Sequence, residues 1–250
     1  MNEEMGQTVS PVTINADMGE SIGIHHFGND EKLLDYVDTI NVAGGLHAGD
    51  PTGIARIITT ALSRGVTVGA HPGLADIAGF GRREMAVTAE EVRDLIRYQT
   101  GVVVAFIEAE GGELHHIKPH GALFGMLSRS EELMDAACDV AVQYGVPVFG
   151  LAGTAHERIA IRRGVPFVSE FYVDLEYNDE GTIIVNRTGA TRDLEEVEVR
   201  ASRALAEGTT VSVSGKVIDV RAESFCVHSD LPNAPAVAAR LREILQRAGR

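Results

Sequence analysis

In the stretch NVAGGLHAGDP, residues 41–51, three glycines, a histidine and an aspartate come after the apolar segment 33–42. Glycine lets a backbone adopt positive φ angles and approach a ligand closely, and His47 adds an imidazole that titrates near neutral pH. Flexible and titratable residues directly after an apolar strand are typical of the loops that build sites at the carboxyl edge of a parallel sheet. The stretch therefore predicts an α/β fold and a functional loop.

Apolar, β-branched segments alternate with segments of helical period along the whole chain. The predicted strands are 11–17, 39–45, 66–73, 114–121, 146–153, 165–174 and 224–230. The predicted helices are 31–37, 51–63, 88–111, 130–144, 154–164, 193–207 and 233–248. Asp50 before Pro51 gives one helix an N-cap, and Thr88 with Glu91 gives another a capping box. This alternation is typical of a parallel sheet with helical crossovers.

Polar or glycine-rich residues follow six of the seven predicted strands. An open, doubly wound sheet would gather only two or three of these strand ends, whereas a closed barrel would gather them all around one pocket. We therefore expect a seven-stranded parallel (β/α) barrel. Residues 1–250 are expected to form one domain, with short hairpin flaps at about 176–190 and 209–220.

Composition narrows the function classes. The formal net charge of −14 argues against nucleic acid or an anionic membrane as a partner, because such surfaces would repel this one. No segment approaches the roughly 20 apolar residues of a membrane-spanning helix. The first ten residues are polar and acidic, unlike a secretory signal, and Cys138 and Cys226 are expected to be buried small residues. A cytoplasmic location is expected.

The first two strands carry the first group of candidate site residues. Two carboxylates at a strand end can hold a divalent cation or divide acid and base roles. The imidazole of His47 lies among glycines that offer it little to pack against, which favours a function. Asp50 is equally well explained as a helix N-cap and as a binding residue. This group consists of Asn15, Asp17, Glu20, Gly45, His47, Gly49 and Asp50.

The later strands add a second group. Lys118 and His120 are two residues apart, so on a strand they share a face with His116, where a cation beside an imidazole suits the stabilisation of an oxyanion. The glycine-rich segment GFGRR offers Arg82 and Arg83 to a phosphate or carboxylate. The remaining members of this group are His71, Glu170, Asp174, His228 and Asp230, whereas His25, His26 and His156 are interpreted as surface residues.

Five segments, INADMGES, NVAGGLHAGDP, GAHPGLADIAGFGRR, IKPHGALF and CVHSDLPNA, resemble in order and spacing the LamB/YcsF family. The resemblance runs from about residue 13 to residue 245. It implies a seven-stranded barrel of the glycoside hydrolase/deacetylase type. It also implies the activity of the A subunit of a bacterial 5-oxoprolinase, which opens the lactam 5-oxoproline to L-glutamate with hydrolysis of ATP, together with subunits B and C.

The family's motif residues match most of the candidates, but the chain departs from the motifs at four positions. Gly44 stands where the family usually has cysteine, and Leu46 where it has phenylalanine. Leu175 replaces an arginine and Ser229 a glycine. The matching positions are Asn15, Asp17, Gly19, Glu20, His47, Gly49, Asp50, His71, Gly81, Arg82, Lys118, His120, Gly121, Glu170, Asp174, Tyr177, His228 and Asp230.

The expected catalytic residues are Asp17, Glu20, His47, His71, Lys118 and His120. Phosphorylation of the amide oxygen by ATP would create an imidate-like electrophile. In this mechanism Lys118 and His120 stabilise charge on that oxygen, and Asp17 with Glu20 removes a proton from water. The expected binding residues are Asn15, Gly45, Gly49, Asp50, Arg82, Glu170, Asp174 and His228.

Two alternatives stay open at this point. In the first, the chain is a metal-dependent, deacetylase-like hydrolase, in which Asp17 and His47 with His71 or His120 bind Zn²⁺ or Mg²⁺. In the second, it is a non-catalytic subunit that binds a ligand and partners, an interpretation that the departures at Gly44 and Leu175 motivate.

Overall fold

The computed structural model of the chain describes residues 11–185 and 190–249. Numbered along the chain, the strands are β1 (Thr13–Met18), β2 (Thr39–Ala43), β3 (Thr67–His71), β4 (Leu114–Ile117), β5 (Val148–Gly150), β6 (Phe167–Tyr172), β7 (Glu176–Tyr177), β8 (Ile183–Ile184), β9 (Thr209–Val211), β10 (Val217–Asp219) and β11 (Ser224–His228). Seven of them form a closed barrel in the order β1-β11-β6-β5-β4-β3-β2, and every pair in it is parallel. The predicted seven-stranded parallel barrel is confirmed.

Closure of the barrel makes the first and last strands neighbours. On one side of β1, Asp17 pairs with His228 of β11, and on the other side it pairs with Asn41 of β2. Side chains alternate along the strand, so Ile14, Ala16 and Met18 join the apolar core while Asn15 and Asp17 make polar contacts inside the barrel. The register therefore places polar side chains of three strands at one level of the barrel interior.

The helices are α1 (Asp30–Leu33), α2 (Pro51–Ser63), α3 (Ala89–Ala109), α4 (Gly121–Arg129), α5 (Glu131–Tyr144), α6 (Ala155–Arg162), α7 (Leu194–Glu207) and α8 (Ala234–Arg247). Asp50 caps α2 by accepting hydrogen bonds from the backbone N–H groups of Thr52 and Gly53. Thr88 and Glu91 form the capping box of α3. Both helices begin where the sequence predicts, because a helix cap depends only on residues close to it in sequence.

Two helices differ from the prediction. The helix expected at 31–37 is a single turn, α1, after which residues 34–36 form turns and β2 begins at Thr39. Helix α4 was not predicted, since Gly121 and Gly125 lower its intrinsic propensity. Tertiary packing stabilises it instead, because Leu123, Phe124 and Leu127 are buried.

The two flap segments each contain an antiparallel pair of strands, β7 with β8 and β9 with β10. The hydroxyl of Tyr177 in β7 accepts a 2.9 Å hydrogen bond from the backbone N–H of Tyr172, which anchors the first flap to the barrel. Residues 186–189 of that flap and residues 1–10 lie outside the described part of the chain. The assignment of the whole chain to one domain stays a prediction.

The placement of three side chains bears on the earlier expectations. His156 was interpreted as a surface residue, and this was wrong, because the ring is fully buried under Phe124. Its Nδ1 accepts from the Leu151 N–H at 3.2 Å and its Nε2 donates to the Phe124 carbonyl at 3.0 Å. Cys138 and Cys226 are buried as expected.

Among residues 11–185 and 190–249, no helix is long and apolar enough to cross a membrane.

Candidate active site

A pocket opens among the carboxyl ends of the barrel strands. Its volume, including the open mouth, is about 340 Å³. One wall is apolar and consists of Phe124, Leu175, Ile183 and Val185. Six of the predicted site residues form the polar part of the lining, namely Asp17, His71, Arg82, Lys118, His120 and His228. Loops far apart in the sequence therefore meet at one edge, as expected for a parallel barrel.

Asp17 lies at the floor of the pocket and is held through one oxygen. Its Oδ1 accepts from Lys118 Nζ at 2.8 Å and from Asn41 Nδ2 at 2.7 Å. Its Oδ2 faces His71 Nε2 at 3.4 Å and His228 Nε2 at 3.6 Å. Burial alone would raise the pKa of this carboxyl, but the charges of His71 and Lys118 outweigh it and hold the pKa well below its usual value. Asp17 is therefore ionised at neutral pH.

Lys118 is buried in the barrel interior. Beside Asp17, its Nζ contacts Glu170 Oε1 at 3.3 Å and Cys226 Sγ at 2.9 Å. Tyr172 donates a 2.8 Å hydrogen bond to the other oxygen of Glu170. Burial opposes the charged form of Lys118, but Asp17, Cys226 and Glu170 outweigh it and raise the pKa of the ammonium well above its usual value. The pocket therefore contains a permanent positive charge.

Backbone hydrogen bonds place Lys118 and His120 in the pocket. Strand β4 ends at Ile117, but the Lys118 N–H donates to the Ala70 carbonyl and the His120 N–H to the Pro72 carbonyl, both at 2.9 Å. The extended pairing with the β3 segment thus continues past the strand, and the two side chains keep a common face.

Beside the floor lies a group of four buried residues, Glu20, His47, His71 and His120, which we call the imidazole cluster. The rings of His47 and His120 are stacked with centroids 3.9 Å apart. His47 Nε2 lies 3.2 Å from Glu20 Oε1, and His120 Nδ1 lies 2.9 Å from His71 Nε2. The expectation that His47 has little to pack against is wrong, since its ring contacts His71, Phe80 and His120.

Burial keeps most of this cluster uncharged. It lowers the pKa of His47 and of His120 well below the usual value, with further contributions from the neighbouring imidazoles. It also raises the pKa of Glu20. Glu20 and His47 lie behind the pocket wall, whereas His71 and His120 line it.

His228 completes the polar wall on the β11 side. Its Nδ1 lies 3.0 Å from Asp174 Oδ2, and its backbone N–H donates to the same oxygen at 2.9 Å. Burial would lower the pKa of the imidazole, but Asp174 outweighs it and raises the pKa to about 9. His228 is thus protonated at neutral pH and can donate a proton into the pocket.

The two arginines of the GFGRR segment behave differently. Arg82 lines the pocket, pairs with Asp230 at 2.9 Å and lies over the Phe80 ring at 5.1 Å from its centroid. Arg83 pairs with Asp76, and its side chain is more than half exposed. Arg82 therefore places its guanidinium at the pocket edge.

Other predicted binding residues lie around the pocket rather than in its lining. Asn15 donates to Ser224 Oγ at 2.8 Å and accepts from Asn41 at 2.8 Å. Gly45 and Gly49 have φ angles of 91° and 89°, so they shape the loop that carries His47. Asp50 caps α2 and also accepts from the Gly23 N–H at 3.0 Å. Their binding roles stay predictions.

Several residues of this site were not recognised from the sequence. Asn41 joins Asp17 to Asn15, and Cys226 contacts Lys118. His116, by contrast, points inward as its predicted face shared with Lys118 and His120 requires, 2.5 Å from Asn41 Oδ1 and stacked on Phe149 at 3.9 Å. The presence of Asn41 within an apolar strand was the available signal.

Among the described residues, two groups bring donor atoms close enough for a metal ion. The first is the imidazole cluster, and the second contains Asp17, Cys226 and His228; within each group the donor atoms lie within 4.8 Å of one another. The trio predicted from the sequence, Asp17, His47 and His71, is neither of these groups. Oxygen ligands suit Mg²⁺, whereas imidazole suits Zn²⁺ and other transition metals. The imidazole cluster therefore fits Zn²⁺ better than Mg²⁺.

The described part of the pocket does not fit ATP. A triphosphate needs several cations or a glycine-rich loop of backbone N–H groups. The cations of this pocket are already paired, Lys118 with Asp17 and Glu170, Arg82 with Asp230 and His228 with Asp174. No catalytic step on this chain is therefore derived through ATP.

The departure at Gly44 has a structural explanation. A Cβ built at this position would lie 2.4 Å from the Cβ of Gln99, because α3 packs directly against the loop. Gln99 in turn donates to the Gly73 carbonyl at 2.8 Å and accepts from the Gly73 N–H at 2.9 Å. Glycine at position 44 thus accommodates a glutamine that fixes the loop after β3.

Known proteins resemble this chain over nearly its whole length. A match to the LamB/YcsF family covers residues 12–250. The A subunit of 5-oxoprolinase from Brevibacillus brevis is 39% identical over 242 residues, 95% of each chain, and that from Thermus thermophilus is 40% identical over 95% of this chain and 97% of its own. A lactam utilization protein of Thermus thermophilus superposes with a TM-score of 0.85 at 39% identity, covering 96% of this chain and 97% of that one. The chain therefore belongs to the LamB/YcsF family.

Proposed function

We propose that this chain is the lactam-opening component of an ATP-dependent 5-oxoprolinase and converts 5-oxoproline to L-glutamate together with partner subunits B and C. The names of its relatives, which are 5-oxoprolinase A subunits and a lactam utilization protein, support this proposal. The observation that carries it is the convergence of an ionised carboxylate, a buried ammonium and an imidazolium on one pocket, in Asp17, Lys118 and His228.

An unstrained five-membered lactam resists hydrolysis because its amide is stabilised by resonance. Phosphorylation of the amide oxygen removes this stabilisation and leaves an imidate-like carbon open to attack by water. Because the described pocket does not fit ATP, we assign the phosphorylation step to the partner subunits. The chain then receives the activated lactam, adds water to its carbonyl carbon and breaks the bond to the ring nitrogen, which leaves an acyl phosphate. A second water hydrolyses this acyl phosphate to L-glutamate and inorganic phosphate.

The pocket offers one residue for each part of this reaction. Asp17 is held through Oδ1, so its Oδ2 can accept a proton from the attacking water. The Lys118 ammonium stabilises the negative charge that develops on the phosphorylated lactam oxygen when phosphate leaves. His228, protonated at neutral pH, supplies the proton that the ring nitrogen needs to leave. Arg82 exchanges its partner Asp230 for the anionic group of the substrate at the pocket edge.

The residues of the imidazole cluster are assigned no catalytic step in this proposal. Both ring nitrogens of His120 are engaged, Nε2 with the Phe80 carbonyl at 2.8 Å and Nδ1 with His71 at 2.9 Å. No N–H of His120 remains for the substrate oxygen. The Nζ of Lys118 is also engaged, with Asp17, Glu170 and Cys226, so we assign charge stabilisation to the electrostatic field of its ammonium. Glu20 lies behind the lining and is assigned to holding the imidazoles.

The test is glutamate release from 5-oxoproline by the chain reconstituted with subunits B and C and ATP. Asp17→Asn should lower turnover by roughly 10²- to 10⁴-fold, the usual contribution of a general base. Asp219→Asn, at an exposed position in β10, serves as the matched control and should retain full turnover. Near-normal turnover by a folded Asp17→Asn variant would remove the assigned base. ATP-independent hydrolysis of an acetylated substrate by the chain alone would instead favour the deacetylase-like alternative.

A further inference from the structure

Asn41 holds the proposed base from inside the barrel. Its Nδ2 donates to Asp17 Oδ1 at 2.7 Å and to Asn15 Oδ1 at 2.8 Å. Both hydrogens of the amide are therefore used, one for each of these oxygens. Asn41 is fully buried and lies outside the lining of the pocket, so its effect on the reaction passes through Asp17.

The direction in which this amide points matters for the base. An amide turned by 180° would place its oxygen, which only accepts hydrogen bonds, against two other acceptors, Asp17 Oδ1 and Asn15 Oδ1. Because Asp17 is ionised, the reversed amide would also repel its carboxylate. Burial makes such unpaired acceptors costly. Only one orientation of Asn41 therefore keeps Asp17 in place.

His116 lies on the opposite side of the amide. Its Nε2 is 2.5 Å from Asn41 Oδ1, and because an amide oxygen only accepts, this nitrogen must carry the hydrogen. Burial lowers the pKa of the imidazole well below its usual value, so the ring is neutral and its Nδ1 has a lone pair. His115 Nδ1, 2.9 Å away, then donates to that lone pair. The His116 ring therefore matches the amide in one orientation only.

Packing keeps the His116 ring in this position. The ring is fully buried and stacks on Phe149 with the two centroids 3.9 Å apart. Gly69, in the neighbouring strand β3, provides the space for it, because a Cβ added there would collide with the imidazole. The N–H that reaches Asn41 is therefore fixed before any substrate arrives.

We propose that His116 is a positioning residue for the base: through Asn41 it keeps Oδ1 of Asp17 bound and leaves Oδ2 for the attacking water. His116 does not line the pocket, so it does not contact the substrate. The inference rests on the role assigned to Asp17, and therefore on the proposed function. Loss of the His116 N–H should slow the chemical step and leave substrate affinity unchanged, because the base is needed only in the transition state.

The test compares two substitutions of equal length at this position. Glutamine has an amide N–H that can replace the His116 Nε2–H, whereas methionine has no donor. Both lose the ring that stacks on Phe149, so a purely structural role would affect them equally. In the complex reconstituted with subunits B and C and ATP, His116→Met should lower kcat by roughly 10- to 100-fold with KM unchanged. His116→Gln should restore most of kcat.

Three further measurements accompany this comparison. His115→Gln, at the adjacent exposed position, should keep full kcat, because His115 does not reach Asn41. In an Asn41→Ala background, His116→Met should cause no further loss of kcat, because the histidine acts through the asparagine. In the isolated full-length chain, nitrogen NMR should show His116 as the Nε2–H tautomer, and this measurement requires neither turnover nor a folded variant.

Three results would overturn the inference. The first is an equal kcat for His116→Met and His116→Gln, the second is an additive loss in the Asn41→Ala background, and the third is an Nδ1–H tautomer of His116. Failure of the proposed function is recognised differently. A wild-type complex that releases no glutamate would overturn that function, and with it this role, whatever the tautomer of His116.

Discussion

Lys118 Nζ and Asp17 Oδ1 lie 2.8 Å apart in the interior of the barrel, where both side chains are buried. The two residues come from the ends of β4 and β1, which are not neighbours in the barrel. The ion pair therefore crosses the interior and joins opposite walls. It also supplies the two opposite charges that the proposed reaction requires in one small space.

Removal of one partner from this pair should destabilise the fold strongly. Lys118→Met leaves Asp17 and Glu170 buried without their cation, and breaking a buried pair in this way typically costs about 3–5 kcal/mol. Urea unfolding at neutral pH should show this loss in the free energy of unfolding. The double variant Asp17→Asn/Lys118→Met should recover part of it. Lys216→Met, in an exposed turn, should behave like the wild type, and an equal loss there would contradict the explanation.

The pair formed by His228 and Asp174 should make stability depend on pH. The folded pKa of about 9 lies above the unfolded value of about 6.5. The pair therefore stabilises the fold fully below about pH 6.5, and this contribution, about 3 kcal/mol, is lost as the pH rises through about 9. Unfolding of the wild type and of His228→Gln, compared across this range, should show the difference shrinking with pH. His26→Gln, at an exposed position, provides the control; a constant difference would rule out the assigned titration.

Arg82 should govern substrate affinity rather than turnover. It lines the pocket, and hydrogen bonds to a charged group are worth about 1.5–3 kcal/mol, so Arg82→Ala should raise KM by roughly 10- to 100-fold with kcat little changed. Arg83→Ala is the matched control, because Arg83 pairs with Asp76 away from the lining. The assay is steady-state kinetics of the reconstituted complex. An equal effect of the two substitutions would refute a specific binding role for Arg82.

Gly44 should tolerate no larger side chain. The added Cβ of Gly44→Ala would lie 2.4 Å from the Gln99 Cβ, and we expect a loss of about 1–3 kcal/mol from the resulting overpacking. Gly101→Ala, within α3, is the matched control, since its added Cβ meets only the Tyr144 hydroxyl at 3.6 Å. That substitution should be neutral or stabilising because alanine favours a helix. Chemical denaturation of both variants measures the difference, and equal stability of the two would contradict it.

Much of the fold could be predicted because its signals are local. The alternation of strands and helices, the N-cap at Asp50 and the capping box of Thr88 depend on residues close in sequence. The two errors in the helices arose where tertiary contacts override propensity. Helix α4 forms despite its glycines because Leu123 and Phe124 are buried, whereas α1 ends at Leu33 and is followed by turns.

The sequence by itself determined that polar side chains follow the barrel strands, since period-two alternation and strand ends can be recognised without knowing which strands are neighbours. Only the tertiary structure decided which of these side chains meet. Closure between β1 and β11 brings Cys226 and His228 to Asp17. The stacking of His120 on His47 forms the imidazole cluster, which reaches Asp17 through His71. The physical reason is that contacts across a barrel depend on register and closure, which couple residues more than 100 positions apart.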